Sequence, residues 1–287
     1  MFGMLPQNLF TTHVAQDTTG PSPRLWGRVF GAAMPPDGQK RLFLVSDDFA
    51  AVHNSGTVTD LVSEHPYVIF ADDTSNHKVQ GMADEEGGVL QLYIDASASA
   101  NEECGVEAGD AVGQLGQISD TSGDDHLTAF ECRLKVSSIT TGKLALIAGL
   151  ASPATAVDGG IIDTTGGPKA DKAFIGFQIL ADDGDSMDFC YQGASQTRQD
   201  KITGVHVPVA DTFVKLGFVY DPSAPASKRI TVYVDNEEQS TYVTSTNIAA
   251  ATFPDAEALT FICQMKGIAG SVALETAVDW WAFAQAF

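Results

Sequence analysis

KLGFVYDP (215–222) and KRITVYVDNEEQSTYV (228–243) read as one strand, a loop, and two further strands that turn tightly at Asn236. Val214, Leu216, Phe218 and Tyr220 share one face of the first strand, and Ile230, Val232 and Val234 share one face of the second. A period of two marks strands that bury a single face. Tyr233 falls on the opposite, outward face. Asn tolerates the positive φ that a two-residue hairpin turn needs, so Asn236 suits its place.

The same period extends outward from this stretch. In FECRLKV, Phe130, Cys132, Leu134 and Val136 alternate with Glu131, Arg133 and Lys135. Similar runs occur at RLFLV, PYVIFAD, GVLQLYID, VGQLGQI, KLALIAGLA, AFIGFQIL, MDFCYQ, LTFICQM and VDWWAFAQ. No segment sustains a long helical period; TVTDLVSEH (57–65) is the one short helical candidate. Many short strands without intervening helices predict an all-β chain, a two-sheet antiparallel β-sandwich over residues 41–287. Residues 1–40 differ, with Pro6, Pro21, Pro23, Pro35 and Pro36 and little alternation. They read as an extended N-terminal arm. Trp26 and Phe30, beside Leu25 and Val29, are large apolar groups to leave in water, so they are the expected attachment residues.

The 287 residues are 44% hydrophobic and 18% charged, the balance of a globular chain. Sixteen basic against 37 acidic residues give a formal charge of −21. Such a surface repels phosphates and anionic lipid, so nucleic acid and membrane are not expected partners. The longest apolar run, LALIAGLA, is too short to span a bilayer. The first residues lack a basic segment before an apolar core, so no signal peptide is expected. Cys104, Cys132, Cys190 and Cys263 are scattered without a C-x-x-C pair and are expected to be buried free thiols.

Four pieces carry a resemblance. A strand ending Tyr220-Asp221, followed by a strand ending Val234-Asp235-Asn236 and its return, resembles concanavalin A-like lectin/glucanase domains, with Asn236 where Gly is usual. SDDF (46–49) resembles their opening strand, FECRLKVSSITTGKLALIAGLASP (130–153) their central pair, and VDWWAFAQ (278–285) their closing strand. The resemblance covers residues 42–287 and implies a concanavalin A-like jelly roll. In overall texture the chain is also similar to structural proteins of tailed-bacteriophage virions. That implies a non-enzymatic capsid decoration or minor capsid protein in the virion. Its arm would attach to the major capsid protein or another virion protein, and the chain would form homo-oligomers, a trimer among them.

Glucanases of this fold set carboxylates on one strand as E-x-D-x-x-E, placing nucleophile and acid/base on one face. No Glu here is followed by Asp two residues later. Glu131 neighbours Arg133, which is expected to lower its pKa, whereas an acid catalyst needs it raised. No G-x-S-x-G, H-E-x-x-H, P-loop, G-x-G-x-x-G or EF-hand pattern occurs, and the six histidines do not pair at ligand spacing. No enzyme is expected. Acidic clusters at Asp47–Asp48, Asp124–Asp125 and Asp182–Asp183–Asp185 suit either a hard cation or ordinary solvated turns. The glucanase resemblance implies a structural calcium at Asp48 and Asp279; no other cofactor is expected. Sugar binding needs exposed aromatics beside polar groups, and Tyr233 and Trp281 are the candidates, each equally suited to core or subunit contact. Virion component is thus the first reading, a carbohydrate-binding lectin-like module the alternative, and a divergent glycoside hydrolase the third.

Overall fold

In the computed structural model, residues 19–33, 42–49, 53–54, 61–62, 67–72, 77–82, 88–109, 114–156, 159–182, 186–270 and 272–287 are described. The opening stretch forms the edge of an eight-stranded sheet. Its order is β15 (Glu237–Val243), β14 (Ile230–Val234), β13 (Val214–Tyr220), β8 (Leu127–Val136), β17 (Leu274–Ala286), β6 (Leu90–Ile94) and β5 (Lys78–Gly81). β1 (Leu42–Asp47) also pairs with β17. A seven-stranded sheet runs β12 (Gln199–His206), β11 (Met187–Gln192), β10 (Phe174–Ile179), β9 (Leu144–Ala151), β16 (Thr260–Gly267), β7 (Glu102–Ala108) and β4 (Tyr67–Ala71). β2 (His53–Asn54) and β3 (Leu61–Val62) form a separate pair.

The alternation sets the core. Phe130, Cys132, Leu134, Leu216, Phe218, Ile230 and Val232 from one sheet meet Leu146, Ala148, Leu150, Ile175, Phe177, Phe189, Phe261 and Cys263 from the other. Two antiparallel sheets facing across an apolar layer make the expected sandwich. The β14–β15 turn is type I′, with φ 48° at Asp235 and 69° at Asn236. All four cysteines are free and buried.

The arm differs from its expectation. Pro23–Ala33 is a helix, α1, and not extended chain. Pro23 sits in the first turn, where a missing N–H costs nothing, and the Trp26 amide bonds to the Ser22 carbonyl at 3.0 Å. Leu25, Trp26 and Val29 then recur at helical spacing on one buried face. Residues 1–18 and 34–40 of the arm lie outside the described residues. Two smaller expectations also change. Of VGQLGQI, the described residues 114–118 make only isolated bridges, at Gly116 and Ile118. In TVTDLVSEH, Leu61–Val62 is a strand, and the rest lies outside the described residues.

β9 departs from alternation altogether, since all eight of its residues are buried. A continuous apolar strand is one covered on both faces. What covers its outer face bears on function.

Candidate functional site

On both outer faces of the sandwich the central strands are covered by this chain itself. On the eight-stranded sheet, α1 packs over β8, β13 and β17. Leu25, Trp26 and Val29 bury against Ala129, Val219, Tyr233, Ala282 and Ala284. The small residues admit the helix: a Cβ on Gly217 would stand 2.5 Å from Leu25 Cδ1. Tyr233 does point outward, but it is 2% exposed beneath α1, and its hydroxyl accepts from Arg28 Nη1 at 3.2 Å. It is no open platform for sugar. Trp26 is 3% exposed and donates its Nε1–H to Glu131 Oε2 at 2.6 Å. Phe30 is partly buried against the same cluster. The two expected attachment residues therefore pack on their own sheet, because the helical turn aims them at it.

Glu131 also differs from expectation. Its Oε2 accepts from the Ser22 amide at 3.0 Å as well as from Trp26. Burial pushes its carboxyl up; the Ser22 and Trp26 hydrogen bonds and the Lys215 ammonium offset this only in part. Arg133 turns instead to Asp279, its hydrogen-bonded ion-pair partner, and lies over the Phe213 ring with its carbon 4.1 Å from the centroid.

Trp281 is 1% exposed and stacks on Phe261 in the core, centroids 4.6 Å apart and planes 6° from parallel. Its Nε1–H donates to the Tyr67 hydroxyl at 2.9 Å, which donates in turn to Asp47 Oδ2 at 2.6 Å. The cause is a register shift between Val278 and Trp280, a β-bulge that adds Asp279 to the strand. Val278 and Trp281 both reach the core as a result, while Trp280 faces outward and donates to the Thr19 carbonyl at 2.7 Å. The calcium expectation changes with it. Asp279 is matched by a guanidinium, and Asp48 is exposed past the end of β1. Among the described residues no three acidic, His or Cys side chains are grouped to hold a metal ion. Asp183 and Asp185 lie outside the described residues.

On the seven-stranded sheet the cover is the segment 152–172. Ile161 and Ile162 bury on Ala145, Ile147, Phe174, Cys190 and Ile262. Glu107, fully buried, accepts from the Ala154 and Ala156 amides at 2.7 and 2.6 Å. Gln264 accepts from the Ile161 amide at 2.6 Å and donates to Glu103. Lys266 Nζ donates to Glu103 at 2.8 Å and to the Asp163 carbonyl at 3.2 Å. Burial pushes the Glu103 carboxyl up, against the pull of Lys266. Glu103 and Glu107 of β7 thus hold a strap in place and do not face each other across water, as a glycosidic pair must.

An opening remains at one end of the sandwich, a cavity of about 140 Å³. The β7–β8 connection supplies Asp120 and Asp125, the β13–β14 loop supplies Pro222 and Arg229, and the short helix α2 (Ser245–Ile248) supplies both its end residues. Tyr220 lines its base, donating to the Ser119 carbonyl at 2.6 Å, and burial pushes its phenol up to about 12. A capping box between Thr244 and Asn247 fixes α2. Asp221 orders the loop by accepting from the Ser223 amide at 2.9 Å and hydroxyl at 2.6 Å. Asp124–Asp125 stands out in the sequence as an acidic pair, but nothing in the local pattern joins it to Arg229 and Ser245, which are distant along the chain.

Two antiparallel sheets of seven and eight strands in this arrangement define a concanavalin A-like jelly-roll β-sandwich. No protein family and no curated protein matches the sequence. Among solved structures, the chain is similar to a protein of unknown function from Shewanella oneidensis MR-1, at 14% identity and TM-score 0.51, covering 93% of this chain and 94% of the other. It is also similar to peanut lectin, solved with a nine-residue peptide, at 13% identity and TM-score 0.51, covering 85% and 97%. A prokaryotic β-1,3-1,4-glucanase (lichenase) from a mouse hindgut metagenome aligns at 14% identity and TM-score 0.49, covering 84% and 98%. At these identities the likeness is one of fold.

Proposed function

We propose that this chain is a non-catalytic carbohydrate-binding module of lectin type. The observation that carries the proposal is the covering of the central strands of both sheets by α1 and by the segment 152–172, with the carboxylates beneath them committed to amides, an indole and an ammonium. A small polar cavity is open at the end of the sandwich. Likeness in fold to peanut lectin supports the same direction. Tyr233 and Trp281 are not the recognition surface in this proposal, since both are enclosed. Recognition rests on hydrogen-bonding groups at the sandwich end. Binding to glycans replaces attachment to a virion shell as the first reading, because Trp26 and Phe30 lie on their own sheet.

The test is a glycan array beside an assay for new reducing ends on the polysaccharides retained. Retention without release of reducing ends is expected. Release would make the chain an enzyme, and a blank array would remove the carbohydrate reading.

A further inference from the structure

Arg229 lines the end cavity, yet its Nη1 is enclosed and makes no hydrogen bond to the described residues. A buried donor without a partner is costly and calls for a physical explanation. The groups around it suggest one. Asp125 uses Oδ1 to accept from the Gly123 amide at 2.9 Å, which leaves Oδ2 for an incoming donor. Asp120 is exposed at the rim, and Ser245 contributes a hydroxyl that can donate or accept. Pro222 and the buried Ile248 make an apolar wall. A site of apolar walls with a few fixed polar groups is how proteins orient small ligands.

Resting on the carbohydrate reading above, we infer that this cavity is a subsite for one terminal, neutral pyranose ring. Size limits the site to one ring at most: the volume of about 140 Å³ is close to the roughly 150 Å³ that holds benzene, so a hexose, with twice the heavy atoms, enters by one edge and leaves the rest in solvent. Charge supports a neutral one. Two carboxylates outnumber one guanidinium here, and the chain carries −21 overall, so uronic and sialic acids are repelled. Chemistry supports a polyol: adjacent hydroxyls donate to Asp120 and Asp125, and a torsion of the long Arg229 side chain turns its unpartnered nitrogen onto a sugar oxygen. A ligand that completes this pairing removes the cost of the orphaned donor.

The experiment titrates methyl glycosides of neutral hexoses into the full chain. Backbone amide shifts are followed by NMR, and retention of the array-positive glycan is compared for wild type, Arg229→Gln and Asp125→Asn. The expected result is shifts centred on residues 120–125 and 245–248, with retention falling ten-fold or more in both variants. Asp125→Asn, at a half-exposed loop position, keeps the test valid if Arg229→Gln folds poorly. Unchanged retention in a folded variant, with shifts elsewhere, overturns the subsite and leaves the carbohydrate reading standing. Wild-type protein that holds no glycan and no glycoside overturns both.

Discussion

Glu131 shows how far one side chain can sit from its sequence context. Two residues from an arginine, it is nonetheless held above the ordinary carboxylate range, because α1 removes it from water and Arg133 bonds elsewhere. A carboxyl that binds its proton more tightly folded than unfolded contributes stability at low pH, lost as pH rises through the raised folded value. Glu131→Gln removes this loss while keeping an acceptor for the Ser22 amide and the Trp26 indole. Urea midpoints across pH should therefore move in favour of the Gln variant as pH rises above the ordinary carboxylate range. Asp72 and Glu103 slope the same way in both proteins and cancel. Parallel curves for the two proteins would show that Glu131 titrates normally. Gly217 is the second residue of this kind. Gly217→Ala puts a methyl 2.5 Å from Leu25 Cδ1 and 2.8 Å from the Phe130 carbonyl, so α1 must shift. Overpacking of this sort costs about 1–3 kcal/mol, readable as a lower urea midpoint.

At the scale of elements, α1 and the segment 152–172 do one job on opposite faces: each buries the outer face of the central strands of its sheet, while edge strands such as β12 and β15 stay exposed. Trp26→Ala should cost about 3–5 kcal/mol in docking of α1. Trypsin should then cut within α1, at Arg24 or Arg28, well before the sandwich melts. Cleavage only at the melting temperature would mean that α1 is held by contacts other than Trp26. For the strap, Glu107→Gln leaves one of two backbone donors facing an amide NH₂ instead of an oxygen. Hydrogen exchange at one of Ala154 and Ala156, whichever amide faces the NH₂, should accelerate about ten-fold or more, given roughly 1–3 kcal/mol per buried donor left unsatisfied. Unchanged protection would mean that Ile161 and Ile162, with the Gln264 and Lys266 hydrogen bonds, secure the segment without Glu107.

For the whole molecule, a formal charge of −21 is a field acting on every element. Self-repulsion of like surface charge opposes compactness and is screened within about 10 Å at 0.1 M salt. The melting temperature should rise as sodium chloride goes from about 0.01 to 0.2 M, and flatten beyond. A fall would point to surface ion pairs, such as Arg24–Glu237, as the dominant charge term. The same field bears on ligands, since it disfavours anionic glycans at the end cavity before any contact is made.

The sequence by itself determined the sandwich. Period-two runs such as 130–136 and 214–234 can bury one face only by pairing sheets, and Asp235–Asn236 accept the backbone a type I′ turn demands. The unbroken apolar run of β9 even carried the news that a second layer covers it. Helical spacing of Leu25, Trp26 and Val29 was also present, though set among prolines that read as extended chain. Tertiary structure alone decided the rest. One bulge at Asp279 sent Trp281 inward, one helix enclosed Tyr233 and Glu131, and three loops distant in sequence met around Arg229. Local sequence dictates which face of a strand is apolar; only the packing of remote segments decides whether the other face, and any group on it, still meets water.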